Sequence, residues 1–430
     1  MKKITLLVLL NLILNIVFSQ QLSLKEQAID QFKKENYPLA ISLMEKALSK
    51  NGNDAEIYYY LGVFNHYNAN DSRPLQAYDS IYSNKILDYL DKALEINPQF
   101  GDAKYFYLTE CAARASIEYQ KGNLLNVKHY FGKAYKRGVI PKWAIELAEN
   151  ILNSCDKNAI LFTHGDFIKN VCFFVQLHYK HRPDISVVPL TELEIPSFVM
   201  QLTNNENSKV LRGVETGLTK EQIMQLHPFK WDTLVVSLEV PDSLIVKYSL
   251  QTEYTFDWKV EPDLSSNRIV AKIQSEIPHP RTYLSPTRAV LLSIIETNNW
   301  KRPVYFTNTF ENYYLAGLDK YFQDCGLVHK LLPLKTENTH YNKDIRALEN
   351  IVLNVELKRL RTILENDMPR ATGIALYRYA YYALADFYLQ NNRKSDISKV
   401  IEKYKQNLSF GYKPELDTKF IEGLENMKNR

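Results

Sequence analysis

Three polar residues in the middle of the chain, His164, Asp166 and Arg182, have side chains that could do chemistry. A carboxylate beside an imidazole can hold a metal ion, a sugar hydroxyl or a proton in transfer. A guanidinium can recognise a carboxylate or a phosphate. These three residues are therefore the candidates for a catalytic or binding site.

Each candidate also has a purely structural explanation. Asp166 can cap a helix that begins near Phe167 by accepting backbone N–H bonds, and His164 can be an exposed loop residue. Arg182 can form a local ion pair within the turn Arg-Pro-Asp. Because these explanations suffice, we predict no catalytic residue and no bound cofactor.

A second pair of polar residues, His178 and His181, has a spacing that can chelate a metal ion from one helix. A third histidine or a carboxylate is not found nearby in the sequence, and Lys180 indicates a face exposed to solvent. We therefore predict no metal site.

The candidates lie in a segment whose pattern predicts strand, turn, helix, turn and strand. Residues 159–162 and 185–188 are apolar runs, and the gap of about twenty residues between them fits one crossover helix but not a hairpin. Such strands should be parallel, with a right-handed crossover. Ligands of open parallel sheets bind where strands end and helices begin, which is where residues 163–166 lie.

The rest of the middle region alternates between strands and helices. A helix is predicted at 286–298, with Ser285 as its N-cap, and a short helix at 318–322. The remaining strands are predicted at 233–240, 244–257, 268–273, 304–307 and 326–334. The first three of these form either an antiparallel insertion or an extension of the main sheet. Residues 154–336 are thus an α/β domain with a mixed, mostly parallel sheet.

Helices flank this domain on both sides. Residues 20–153 contain three degenerate copies of a helix pair like the tetratricopeptide repeat, with small and large residues alternating as at Ala40, Met44 and Ala47. We expect an inserted loop at 68–83. The C-terminal region, 337–430, is predicted to hold a long helix at 345–364 and a repeat-like pair at 374–390 and 395–408. The repeats can bind an extended peptide or simply support the α/β domain, and both interpretations stay open.

The N-terminus resembles a secretory signal peptide of residues 1–19, with a basic start and an apolar run. An exported protein, periplasmic or extracellular, is expected, with no stable transmembrane span after cleavage; a retained N-terminal anchor is the alternative. The four cysteines are expected to be buried free thiols, although one disulfide bridge is the alternative. The small net charge of +4 does not indicate a nucleic-acid partner.

Two separated motifs, NAILFTHGD…RPDISVVPL and NWKRPVYFTNT…YLAGLDKYFQDCGLVHKLLPL, carry a family resemblance over about residues 156–334. They resemble the soluble C-terminal part of a bacterial membrane-protein family of unknown function that is related to the transmembrane protein O-mannosyltransferases. Members of that family have a Gly-Asp-Asn-Asp turn after the first strand. Gly165 and Asp166 match its first half, but Phe167 and Ile168 replace the second half. The other matching residues are Arg182, Pro183, Asp184, Trp300, Lys301, Arg302, Pro303 and Tyr305.

The resemblance implies an association with envelope glycosylation. The family's transfer chemistry is expected in a membrane-embedded portion that this sequence lacks, so it does not carry over. We expect an exported, non-catalytic interaction or scaffold protein that binds a protein or glycan partner in the cell envelope. The alternative is a carbohydrate-handling or glycosyltransferase-associated domain with a site at His164, Asp166 and Arg182.

Overall fold

A computed structural model describes residues 22–71, 80–204, 211–230, 234–260, 283–308, 312–337, 339–362, 370–409 and 414–429. The chain divides into two compact units, Met1–Ile117 and Glu118–Arg430. The predicted domain boundaries after residues 153 and 336 both fall within the second unit, and they stay predictions. The predicted signal peptide lies outside the described residues.

The first unit is built from consecutive helices that pack against their neighbours in the sequence. These are α1 (Leu24–Lys33), α2 (Tyr37–Lys50), α3 (Ala55–Asp71), α4 (Ser80–Ile96) and most of α5 (Gly101–Gln120). Ala40, Met44 and Ala47 are the buried residues of α2, as the spacing predicts. The expected loop at 68–83 is helical at both ends, and residues 72–79 lie outside the described part. The likeness to tetratricopeptide repeats stays a prediction.

The described residues of the second unit form helices and three sheets. Its helices are α6 (Leu124–Lys136), α7 (Lys142–Asn153), α8 (Asp166–Tyr179), α9 (Pro196–Leu202), α10 (Lys220–Met224), α11 (Asp242–Tyr248), α12 (Pro286–Asn298), α13 (Ile345–Glu349), α14 (Arg370–Gln390), α15 (Lys394–Asn407) and α16 (Pro414–Asn429). Its strands are β1 (Ile160–Thr163), β2 (Ser186–Pro189), β3 (Phe229–Lys230), β4 (Leu234–Glu239), β5 (Thr255–Val260), β6 (Tyr283–Leu284), β7 (Val304–Thr307), β8 (Phe322–Asp324) and β9 (Val328–Leu331).

The main sheet has the strand order β2-β1-β7-β9-β8. β1 pairs in parallel with both β2 and β7, whereas β9 is antiparallel to its neighbours β7 and β8. Four of the five strands therefore point the same way, and the predicted mixed, mostly parallel sheet is confirmed. The predicted unit of two parallel strands and a connecting helix is confirmed as β1, α8 and β2.

Helix α12 shows how local sequence signals set an element boundary. The Ser285 hydroxyl accepts a hydrogen bond from the backbone N–H of Arg288, and Pro286 occupies the first helical turn. Both are favourable there, since the first-turn N–H groups have no partner within the helix. The prediction of this helix and its cap is confirmed.

One predicted strand is wrong. Residues 244–257 do not form one strand, because Asp242–Tyr248 is helical and only Thr255–Val260 is extended. Strands β4 and β5 pair with each other in a separate antiparallel sheet, so this region is an insertion and not an extension of the main sheet. The strand predicted at 268–273 lies outside the described residues.

The long helix predicted at 345–364 is also interrupted. Helix α13 ends at Glu349, one wide turn follows at Asn350–Asn354, and the chain then leaves the helical path. The backbone N–H groups of Arg359 and Leu360 are bound instead by the Glu146 carboxylate, at 3.0 and 2.8 Å. A side-chain carboxylate from a distant helix therefore accepts the hydrogen bonds that helix carbonyls would otherwise accept. The helix pair predicted at 374–390 and 395–408 is confirmed as α14 and α15.

All four cysteines are buried free thiols, as expected. Among the residues that the structure describes, no helix is both long enough and apolar enough to span a bilayer.

Candidate functional site

The turn after β1 begins the candidate site. Gly165, at φ +79°, is the N-cap of α8, and Asp166 is the first helical residue. The prediction that Asp166 caps this helix is therefore wrong, because the cap position has a backbone conformation that suits glycine. The Asp166 side chain is exposed and makes no hydrogen bond with any described residue.

The neighbouring imidazole of His164 is not an exposed loop side chain. It is half-buried and packs against the Tyr314 ring, with the ring centroids 4.7 Å apart. Tyr314 belongs to the short helix Asn312–Leu315, which follows β7. The turn after β1 and the segment after β7 thus meet at the carboxyl edge of the sheet.

Arg182 lies at the opposite edge, because it precedes the amino end of β2 while Asp166 follows the carboxyl end of the parallel strand β1. The structure therefore does not bring the three predicted candidates together. The guanidinium pairs with Asp184 at 3.0 Å, which confirms the predicted local ion pair. It also donates to the backbone carbonyls of Leu152, Cys155 and Asp156.

These contacts give Arg182 a structural role. Its hydrogen bonds lower the pKa of the Asp184 carboxyl to about 2, an effect that burial opposes and that the backbone N–H of Asn158 supports. Residue 182 itself has a positive φ of 49°. The side chain fastens the end of α7 to the start of β2, and its donors are engaged by the protein.

The two histidines considered for metal binding do not share a helix. Helix α8 ends at Tyr179, and Lys180 takes the left-handed conformation, which directs His181 away from the helix axis. His178 stacks on Phe174, while His181 contacts the Asn153 side-chain oxygen at 3.0 Å. The described residues contain no group of three or more His, Cys, Asp or Glu side chains suited to a metal ion.

A cleft of about 290 Å³ lies farther along the same carboxyl edge. It opens where β7 and β8 end and where β9 begins. Leu315, next to the residue that contacts His164, forms part of its wall. The polar residues of its wall are Thr307, Asn308, Asp319, Asp324, His329, Asn342, Lys343 and Tyr379.

Asp324 and His329 face each other across the β8–β9 hairpin. Gly326 makes the turn at φ +93°, and its N–H donates to Asp324 Oδ1 at 2.9 Å. The Tyr379 hydroxyl of α14 donates to Asp324 Oδ2 at 3.0 Å. Both carboxylate oxygens are therefore oriented by donors, and burial together with this carboxylate raises the pKa of Tyr379.

His329 is held as a neutral ring. It stacks on Phe322 with centroids 5.4 Å apart and planes 15° apart, and burial lowers its pKa although Asp324 opposes the effect. Its Nδ1 is buried without a hydrogen-bond partner in the described residues. Asn308 is similar, since its amide N–H donates to the Gly326 carbonyl while its Oδ1 has no described partner.

Leaving His329 Nδ1 and Asn308 Oδ1 buried without hydrogen-bond partners lowers the stability of the folded protein. Each unsatisfied group costs about 1–3 kcal/mol, so a ligand that bonds to it recovers that free energy. Beside them stand an oriented carboxylate and the Lys343 ammonium, which pairs with Asp386. The cleft therefore offers both hydrogen-bond donors and hydrogen-bond acceptors beside the ring of Phe322.

Sequence reasoning missed Asp324, His329 and Tyr379 as site residues. The first two stand on either side of Cys-Gly-Leu-Val, and a hairpin centred on Gly326 brings such residues opposite each other. That spacing was a usable signal. Tyr379 carries no local signal, because only the packing of α14 brings it to the hairpin.

Comparison with known proteins bears on the part of the chain that contains this hairpin. Residues 240–350 match the family model described as TMEM260-associated domain 2. The match fits a TMEM260-related family. It contains β7, β8 and β9, and hence Asn308, Asp324 and His329, but not Tyr379. No curated protein and no solved structure matches the chain.

Proposed function

We propose that this protein is an exported, non-catalytic binding protein of the cell envelope, periplasmic or extracellular, whose α/β unit holds a glycan in the cleft at the carboxyl edge of the sheet. The observation that supports this proposal is the convergence of Asn308, Asp324, His329 and Tyr379 around about 290 Å³. That volume is at the small end for ligand sites and suits one ring-sized group.

Hydroxyl groups fit this cleft because each can both donate and accept a hydrogen bond. A hydroxyl can therefore pair with the His329 Nδ1 whether or not that nitrogen carries the proton. It can also donate to Asn308 Oδ1. The Phe322–His329 stack supplies an apolar surface for the face of a sugar ring.

The protonation states of His329 and Tyr379 favour ligand binding over proton transfer. Burial lowers the pKa of His329 and raises that of Tyr379, so near pH 7 the first is a neutral ring and the second a hydrogen-bond donor. Asp324 is bound by two donors. A general acid or base instead works best with a pKa near the operating pH.

The alternative, a carbohydrate-handling site on His164, Asp166 and Arg182, has less support. Arg182 lies at the other edge of the sheet, and its guanidinium is engaged by backbone carbonyls and Asp184. His164 is near the proposed cleft, because it contacts Tyr314, whose neighbour Leu315 lines the cleft; Asp166 lies two residues farther along the same turn. We include them only as neighbours of the binding site.

The proposal also covers the family relationship of the chain and the nature of its N-terminal helices. We infer that the matched domain belongs to a bacterial relative of the TMEM260-type proteins, with tetratricopeptide-like helices in residues 20–153 that act as a scaffold for a protein partner. The buried residues Ala40, Met44 and Ala47 support the repeat assignment, because they follow its small-large-small spacing.

Glycan-array screening of the purified mature chain, followed by calorimetry with the best-bound glycan, tests the proposal. His329→Phe keeps a ring for the stack but removes both nitrogens, and Asn308→Ala removes the amide. Each change should weaken binding by roughly tenfold, the value of about one hydrogen bond at 1.4 kcal/mol.

Tyr382→Phe is the control, since it removes a polar group at an exposed position of α14 that does not line the cleft. It should bind as the wild type does. Absence of any glycan ligand, or equal affinity of all three variants, would overturn the proposal. Thermal unfolding of each variant establishes that the fold is retained.

A further inference from the structure

One exposed face of α6 combines basic residues with an exposed leucine. Leu125 is 83% exposed and lies on the same side of the helix as Lys128, His129 and Lys136, which are also exposed. Helical spacing places Leu125 on the same stripe as these basic residues, at the start of the helix, and the basic residues follow it toward the C-terminus. The helix has no aspartate or glutamate from residue 124 to residue 136.

The end of α8 extends this surface. Tyr135 of α6 packs against His178 and Tyr179, with ring centroids 4.9 and 6.3 Å away. Tyr135 and Tyr179 remain 41% and 42% exposed. Lys128 is close enough to add to the effect of burial in lowering the pKa of His178. We call Leu125, Lys128, Lys136, Tyr135, Tyr179 and Lys180 the basic-aromatic face.

The positive charge of this face is not neutralised within the described part of the chain. Lys128, Lys136 and Lys180 have no carboxylate partner there. Two acidic residues on neighbouring helices, Glu118 and Glu149, have basic partners of their own. Glu118 pairs with Lys121 at 3.0 Å, and Glu149 pairs with Arg359 at 3.1 Å.

We propose that the basic-aromatic face docks this protein on an anionic membrane surface. Lysines near such a surface are attracted to its charged headgroups, and tyrosines favour the boundary between apolar and aqueous phases. A face on which an exposed leucine and two partly exposed tyrosines accompany the lysines suits a lipid layer, where these side chains can enter the headgroup region. An acidic polypeptide would satisfy the lysines but would leave Leu125 exposed.

Each lysine near an anionic surface is worth roughly a fivefold change in the partition coefficient. The three lysines together therefore give on the order of a hundredfold preference for anionic over neutral vesicles at low salt. This preference should decrease as salt screens the charges.

Vesicle co-sedimentation of the purified mature chain tests the proposal, with phosphatidylcholine vesicles that do or do not contain phosphatidylglycerol. The wild type should bind only the anionic vesicles. Lys128→Glu/Lys136→Glu should reduce binding to background, and Leu125→Ser should weaken it several-fold. The control Lys301→Glu/Lys419→Glu makes the same change of charge at exposed lysines outside the face and should bind normally.

Failure of the wild type to bind anionic vesicles would overturn the proposal, as would equal loss in the control variant. Retention on immobilised polyglutamate without vesicle binding would instead assign the face to an acidic polypeptide. The result is independent of the glycan cleft, which involves none of these residues.

Discussion

Replacement of Arg302 by methionine should destabilise the α/β unit strongly. The Arg302 guanidinium joins β7 to the segments that begin β1 and β2, and it has no carboxylate partner among the described residues. It donates to the carbonyls of Asn158, Ala159 and Gly213 and to the Ser186 hydroxyl, at 2.9, 3.0, 3.0 and 2.6 Å. Burial lowers its pKa to about 10, with Arg212 adding to the effect.

The expected loss follows from these four bonds. At about 1 kcal/mol net for each bond, their removal costs about 4 kcal/mol. Arg302→Met retains most of the aliphatic stem and also removes a charge that is expensive to bury, which returns about 1 kcal/mol. The free energy of unfolding should therefore fall by about 3 kcal/mol.

Urea unfolding, followed by tryptophan fluorescence, measures this change. Lys301→Met is the matched control, because Lys301 is the exposed neighbour and makes no side-chain contact of this kind. It should change stability by less than about 0.5 kcal/mol. Arg302→Lys should lie between the two, since one ammonium cannot reach four acceptors. If Arg302→Met were as stable as Lys301→Met, the guanidinium would not hold these strands together.

Three further outcomes are expected. Gly326→Ala should destabilise the protein by about 2–4 kcal/mol and abolish glycan binding. The reason is that φ is +93° at this residue and an added Cβ would lie 2.9 Å from the Ile351 side chain. Equal thermal stability of the variant and the wild type would contradict this. The stability difference between wild type and Asp184→Asn should be full above about pH 5, should shrink below the ordinary pKa of 3.8 and should be lost only below about pH 2, because the folded-state pKa of Asp184 is lowered to about 2. A difference that does not change with pH would exclude the Arg182 pair as its cause. Ellman's reagent should modify none of the cysteines in the folded protein and all of them in denaturant. Burial raises the pKa of Cys155, Cys172 and Cys325, and Cys111 is also buried. Rapid labelling of the native protein would instead show an accessible thiol.

The elements that could be predicted from sequence are those whose signals are local. The apolar runs that become β1 and β2 are buried along their whole length, so their continuous pattern reflects their position in the sheet. Helix α12 has a serine cap and a first-turn proline, which act within one helical turn. Such signals do not depend on distant residues.

The missed elements depend on contacts that are distant in sequence. Residues 244–248 are rich in β-branched and aromatic types that suit a strand, but they lie in a short helix, α11, because strand preference depends on pairing and burial. The helix predicted through residue 364 stops because the Glu146 carboxylate binds backbone N–H groups near residue 360. Neither the helical state of α11 nor the end of α13 can be inferred from the local sequence pattern alone.

The site was only partly predictable for the same reason. The βαβ pattern pointed to the carboxyl edge of the sheet, where the proposed cleft also lies, although it singled out the turn at Asp166. The cleft depends on β8, β9 and α14, and the residue that orients Asp324 comes from α14. The chosen guanidinium, Arg182, lies at the opposite edge because β1 and β2 are parallel.

Calorimetric titration of the wild type, His329→Phe and Tyr382→Phe with the best-bound glycan tests the central claim most directly. The cleft predicts that His329→Phe binds roughly tenfold more weakly, while Tyr382→Phe binds like the wild type. Equal affinity of the three proteins, with all three folded, would contradict a binding site at the carboxyl edge of the sheet.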